Sequence, residues 1–515
     1  MRPARALPLL LAALALPAPA YEEGLHQRIG ERALPGDLPR ALPAPSAADA
    51  AALRRAAWRA GASHPDAGVR RRFLARWPDE AAFDDWAWKE LLGLTPEARV
   101  LGIDAFPAGG DARDLAARAA RAPDEDGRNR ERFAHAPDRT VRRDPWGRPL
   151  PADPAQLHMG GLTGISSQAW AHYGLPRLER SDSPEVLRED PRRFAWPPDA
   201  QAFAADQAQI HLDLALAAAA LGTPGGEALA WVHLGASQHY LADVANQIHT
   251  LQAIFPFFVD AKLQSWKVEL QTAGGLLGSR PGFEEIGIGI IQNHHLFLEN
   301  LWAKRLREAV EGRPAHPGVA AGLAALGEGA PDLERALDAR GLDPAGPFAR
   351  GVAEELMELS SREGAEVYEV ARDLARPRLS RARYEMRDGT DPDLELRPSP
   401  DPARLARFYA LQGAGLARAG SALRRETALF RRAVAEAAPS GLDRLRDAAL
   451  RRRVAEGLAA LEAREARLAA WTPAPPAAER PSWGAAAATA LLAGGAAGGL
   501  ALAVRAVRRR GRRAR

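Results

Sequence analysis

The stretch WVHLGASQHYLADVANQIH, Trp231 to His249, decides how the rest of the chain is read. Apolar residues recur in it at three- and four-residue spacing, which predicts a helix. His239 and Asp243 lie four residues apart, so the helix sets an imidazole and a carboxylate on one face. Such a pair can bind one metal ion. His249 follows Asp243 by six residues, which places it about 240° further round a continuing helix. One helix would then serve two metal sites on different faces. Each of these residues, taken alone, is equally a satisfied polar group in a helical core.

Two further elements carry similar chemistry. His295 and Glu299 again offer an imidazole and a carboxylate at helical spacing, whereas His294 has no carboxylate four residues on. The second element depends on processing. Met1 to Ala20 has arginines first, then the apolar run Leu7 to Leu16, then Ala18-Pro19-Ala20. This predicts a secretory signal peptide cut before Tyr21. The new α-amino group of Tyr21 would titrate near neutrality and could chelate a metal with its own carbonyl. His26, five residues on, could complete that grip.

The bulk composition narrows the chemistry. At 515 residues the chain can bury a large core. It has no cysteine, so neither disulfides nor thiolate metal sites are possible. Any zinc must be held by His, Asp, Glu or backbone atoms. The net charge of +4 is set by the ends: seven arginines fall within Arg505 to Arg515, and Arg2 and Arg5 lie in the leader. Without these nine, 60 basic residues face 65 acidic ones, so a large basic surface for duplex nucleic acid is not indicated.

Helical periodicity also covers Glu227–Phe255, Gly282–Ala309, Val352–Ala375 and Asp401–Ala438, while strand alternation with hairpin signals is scarce. The expected fold is all-α: a multi-helix bundle over residues 21–395, then a helical stalk over 396–471. A Pro-rich linker over 472–483 follows. The uncharged run Gly484 to Val504 is 21 residues long, enough to cross a bilayer. The arginines of residues 505–515 would stay cytoplasmic. A sorting tail that is later removed would look similar. The expected protein is exported and membrane-anchored, with its main domain outside the cytoplasm.

The order and spacing of these elements resemble the zinc-dependent phospholipase C and P1-type nuclease superfamily. Members bind zinc through the backbone N and O of the mature N-terminal residue, with a His shortly after it. Later come His-x3-Asp-x5-His and His-x3-Asp or His-x3-Glu. Here Tyr21 with His26, His239-x3-Asp243-x5-His249 and His295-x3-Glu299 match that order. The similarity covers about Tyr21 to Trp302. An intervening Asp and His are also required. Asp126 with His135 is the favoured pair, and Asp144 with His158 is a rival. Ser166-Ser-Gln-Ala-Trp170-Ala is similar to a segment that often follows this stretch.

The resemblance implies about three zinc ions in a helical bundle. One would lie on the Tyr21 backbone, His26 and Asp243. Another would lie on Asp126, His135, His239 and a bridging Asp243. The third would lie on His249, His295 and Glu299. Asp243 and Asp126 would be the carboxylates at the reacting centre, and a metal-bound hydroxide would attack the phosphodiester. Departures exist. Tyr21 stands where Trp is usual, Ile248 replaces a frequent Pro, and the gap from His249 to His295 is long. Phe255, Phe258 and Trp266 in that gap read as core. His64, His172, His211, His233 and His316 fall outside the pattern and read as structural or surface residues. A bilayer anchor and a mildly acidic body favour a phospholipid or other small phosphodiester. A single-strand nuclease, which would want stacking aromatics and a basic rim, is the weaker fit. A degenerate envelope binding or scaffold module is a third alternative.

Overall fold

The computed structural model describes residues 23–94, 109–125, 133–150, 152, 172, 174, 204–250, 301–374, 396, 400–437 and 441–470. Among them the chain is helical, with only isolated β-bridges and no strand. The helices, numbered within the described residues, begin with α1 (Glu23–Ala33), α2 (Ala47–Ala62), α3 (Ala67–Arg76), α4 (Asp85–Leu92) and α5 (Ala112–Ala119). Next come α6 (Ala204–Ala219), α7 (Pro224–Ala245) and α8 (301–310). The last are α9 (Pro317–Glu328), α10 (Pro331–Arg340), α11 (Phe348–Leu374), α12 (Pro402–Ala437) and α13 (Leu442–Ala470).

The centre is the α6–α7 pair. Both helices are buried nearly all round, polar residues included, so neither shows a solvent face. Thr223 starts α7 by accepting from Gly226 N, with Pro224 at the first position. Around α7 pack α5, α11 and α12, while α13 lies against α6 and reaches α2 and α4. One close crossing matters for the site. A Cβ at Gly235 would meet the Ala116 carbonyl oxygen at 2.1 Å, so α7 and α5 touch backbone to backbone there. One turn further along each helix stand His239 and Ala120.

The helix predicted to run on to Phe255 stops at Ala245. Asn246 leaves helical geometry at φ −81°, ψ 121°, and its side chain accepts from Ile248 N. Gln247–His249 then forms a single 3-10 turn. His249 is therefore placed by a turn, not by a second face of α7.

The predicted stalk is also corrected. α12 and α13 belong to the main core, with Phe408, Leu416, Ala419, Ala422, Leu450, Val454 and Leu458 all fully buried. Their abundant arginines meet acids from earlier in the chain. Arg452 and Arg453 both bind the buried carboxylate of Asp213 on α6, Arg453 Nε at 2.5 Å.

Between α5 and α6, residues 133–150 form a small meander. Ala134 N donates to Leu150 O at 2.9 Å, Leu150 N to Arg142 O at 2.8 Å, and Arg142 N to Ala134 O at 2.8 Å. Three chain segments are thus closed in a ring of backbone hydrogen bonds. Among the described residues no helix is long and apolar enough to cross a membrane. The leader, residues 1–20, and the run 484–504 lie outside the described residues.

Candidate metal centre

Two helices from distant parts of the chain meet at Asp243. α1 brings His26 and α7 brings His239 and Asp243. One ligand atom from each of these residues lies within 4.8 Å of the others. All are almost fully buried. The fourth participant is His172, a fully buried residue that the sequence pattern leaves out. Its Nδ1 lies 2.7 Å from Asp243 Oδ2 and 2.9 Å from His239 Nε2.

Asp243 divides its two oxygens. Oδ1 faces His26 Nε2 at 3.3 Å. Oδ2 faces His172 Nδ1 at 2.7 Å and His239 Nε2 at 3.1 Å. Ligands of a tetrahedral zinc stand ~3.3 Å apart, given metal–nitrogen bonds near 2.0–2.1 Å. The observed separations run from hydrogen-bond contact at 2.7 Å up to that spacing at 3.3 Å.

The tautomers follow from the acceptors. His239 Nδ1 lies 2.8 Å from the Ala120 carbonyl oxygen, which can only accept, so the proton is on Nδ1 and Nε2 carries a lone pair. His249 Nδ1 lies 2.8 Å from the His172 carbonyl oxygen and is fixed in the same way. Backbone carbonyls behind metal-binding imidazoles do this orienting work. The one proton that His172 Nδ1 can supply then lies between His239 Nε2 and Asp243 Oδ2. With His172 in its other tautomer, protonated on Nε2, all three atoms would present lone pairs that a divalent cation satisfies together, so the donor set fits a metal.

Charge states agree. Burial alone would raise the Asp243 carboxyl, but the neighbouring His239 and His172 imidazoles hold it well below the usual carboxylate range. Burial, reinforced by His239 and opposed by Asp243, lowers His26 to about 3. His172 is likewise lowered by burial, against the pull of Asp243. Neutral imidazoles around an ionised carboxylate are the states that metal binding requires.

Of the sequence-predicted ligands, the structure gathers His26, His239 and Asp243, with His249 joined to them through the His172 backbone. His135 is not gathered with them. It sits on the meander, its ring edge-on to Trp86 of α4 at 4.9 Å. His172 occupies the place expected for it. A signal existed, since His172 directly follows the Ser166–Ala171 segment already noted. The rival Asp144 is engaged in its own turn, accepting from Trp146 N and Arg148 N at 2.9 Å each and from Arg148 Nε at 2.5 Å. Tyr21, Asp126, His158, His295 and Glu299 lie outside the described residues, as do Phe255, Phe258 and Trp266.

The other histidines behave as structural groups. His211 and His233 are fully buried, their Nδ1 atoms 3.4 Å apart. His64 accepts from Asp66 N, and His316 accepts from Gly318 N at the start of α9. No family model matches the chain, and no curated protein or solved structure matches it either.

Proposed function

We propose that this chain is a zinc-dependent phosphoric diester hydrolase, phospholipase C-like in its action on phospholipid head groups. The division of Asp243 carries the proposal. A buried carboxylate with His26 on one oxygen and His172 and His239 on the other is arranged to bridge two cations. His26 and Asp243 would hold one ion, with the Tyr21 amine and carbonyl. His172, His239 and Asp243 would hold the other, with Asp126. His249, His295 and Glu299 would hold a third.

Bound zinc supplies a water whose pKa falls to about 7 and positive charge for the phosphoryl oxygens. The chain's own residues prepare for it. Ala120 O keeps His239 Nε2 deprotonated and aimed at Asp243, and the buried surroundings keep bulk water from competing. The leader and the run Gly484–Val504 support an exported, anchored protein whose substrate lies in or near a membrane.

The test joins metal content to turnover. Purified protein beginning at Tyr21 should contain about three zinc ions and hydrolyse phosphatidylcholine vesicles faster than single-stranded DNA. Faster cleavage of the DNA would transfer the proposal to the nuclease alternative. Absence of zinc after metal-replete refolding would end it.

A further inference from the structure

His249 rides on a three-residue 3-10 turn, and so short a turn has little stability of its own. Its placement comes from elsewhere in the chain. Gln247, two residues earlier, is fully buried. Its Nε2 donates to Glu363 Oε2 at 2.7 Å and to the Leu411 carbonyl at 2.6 Å, and its Oε1 accepts from Gln412 at 3.2 Å. All the hydrogen-bonding capacity of its amide side chain except one acceptor site is committed.

Glu363 of α11 is itself clamped. Arg418 of α12 binds both its oxygens, at 2.8 and 2.7 Å, and reaches Asp332 of α10 at 2.9 Å. The end of α7 is held by the same two helices. Ser360 Oγ donates to the Ala245 carbonyl at 3.2 Å. A Cβ at Gly415 would stand 2.8 Å from that carbonyl oxygen and 3.1 Å from Gln247 Oε1. Two helices from the last third of the chain, α11 and α12, therefore close on the few residues between Asp243 and His249.

We propose that Gln247, Glu363, Arg418 and Gly415 form a bracket whose role is to position the His249 turn for metal binding. The inference rests on the metal-centre reading and deepens it: these are positioning residues that touch neither metal nor substrate. The chemistry chosen for the bracket supports the role. An ion pair with a buried arginine and a partly buried carboxylate gives little net stability compared with apolar packing, but it fixes direction. Direction is what the turn needs, because ligand groups must stand within about 0.5 Å of their working geometry. The bracket also acts at one remove on the rest of the centre. His249 Nδ1 is tied to the His172 carbonyl, and His172 is tied to Asp243.

The experiment compares three variants of the full chain. Gln247→Leu removes the central amide, and Gly415→Ala pushes a methyl onto the end of α7. Gly420→Ala is the matched comparator on α12, because its Cβ would meet the Leu326 carbonyl oxygen at 2.2 Å, away from the turn. Two quantities are read: zinc affinity by chelator competition, and hydrogen exchange over residues 245–250 in metal-free protein. Gln247→Leu and Gly415→Ala should weaken the zinc affinity about 10- to 100-fold and speed exchange of that segment. Gly420→Ala should lower the Tm while leaving both unchanged. Should Gln247→Leu fail to fold, Arg418→Lys keeps the charge, loses the two-pronged grip and should shift both quantities in the same direction by less. Unchanged exchange over residues 245–250 in the bracket variants would overturn the bracket. A wild-type protein that binds no zinc would instead overturn the metal-centre reading, and the exchange measurement would still decide whether the bracket holds the turn.

Discussion

Asp243 sets the problem at the scale of a single residue. An ionised carboxylate with almost no water around it is costly, and it persists only where neighbours stabilise the charge. His172 is the neighbour with the shortest contact, and its role can be separated from that of His135. His172→Ala should lower zinc affinity by about 100-fold, because it removes a donor atom and leaves Oδ2 with one partner fewer. His135→Ala should leave zinc content unchanged, since that ring packs on Trp86. Equal loss in both variants, measured by elemental analysis, would remove His172 from the centre.

The same pair of residues shows what the sequence carries. His239 and Asp243 were legible because a helix turns four-residue spacing into a shared face. His172 was marked only by its place after Ser166–Ala171, because no regular spacing links it to them; the closed fold brings it within 2.7 Å of Asp243.

At the scale of the element, α12 and α13 show how a good helix prediction can still mislead. The boundaries inferred for Asp401–Ala438 agree with the observed Pro402–Ala437 almost to the residue. The role inferred for it did not hold. Arginine on an Ala-rich helix reads as solvated charge, yet Arg418 and Arg453 are buried. Their acidic partners, Glu363 and Asp213, are remote in sequence, and no periodicity reveals that pairing. A free-standing stalk would be dispensable to the domain before it, whereas these helices fill its core. Truncation after residue 400 should therefore abolish the cooperative unfolding transition of the remaining protein, as followed by circular dichroism. A truncated form that still melts cooperatively at an unchanged Tm would restore the stalk.

For the whole molecule, buried titratable groups set how stability follows pH. His233 is lowered from 6.5 to about 3 by burial. Between those values the unfolded chain takes up the proton first, so stability rises with pH and is lost as pH falls. Glu426 works in the opposite sense. The Ser237 hydroxyl lies 2.8 Å from the Ala208 carbonyl oxygen and 2.5 Å from Glu426 Oε1. Its single proton can serve only one of these two acceptors at a time. Burial, against the Ser237 hydrogen bond, raises that carboxyl from 4.5 to about 8. Across that interval the unfolded chain gives up the proton first, and stability falls as pH rises. Glu426→Gln should cancel this alkaline loss. Urea midpoints of metal-free protein at pH 7 and pH 8.5, above the unfolded histidine pKa of 6.5, should differ less in the variant than in wild type. An identical difference in both would show that Glu426 does not carry the proton.

Contacts such as Gln247 to Leu411, 164 residues apart, also place the centre in time. α7 emerges during synthesis long before α11 and α12, so its ligands exist for a while without their supports. Structures dominated by distant pairings fold slowly, because long loops must close before the contacts that reward closure can form. The order of assembly is therefore fixed by the wiring. The helix of the proposed metal centre is made early, waits half-finished with its buried polar groups exposed, and is completed only when the last helices arrive.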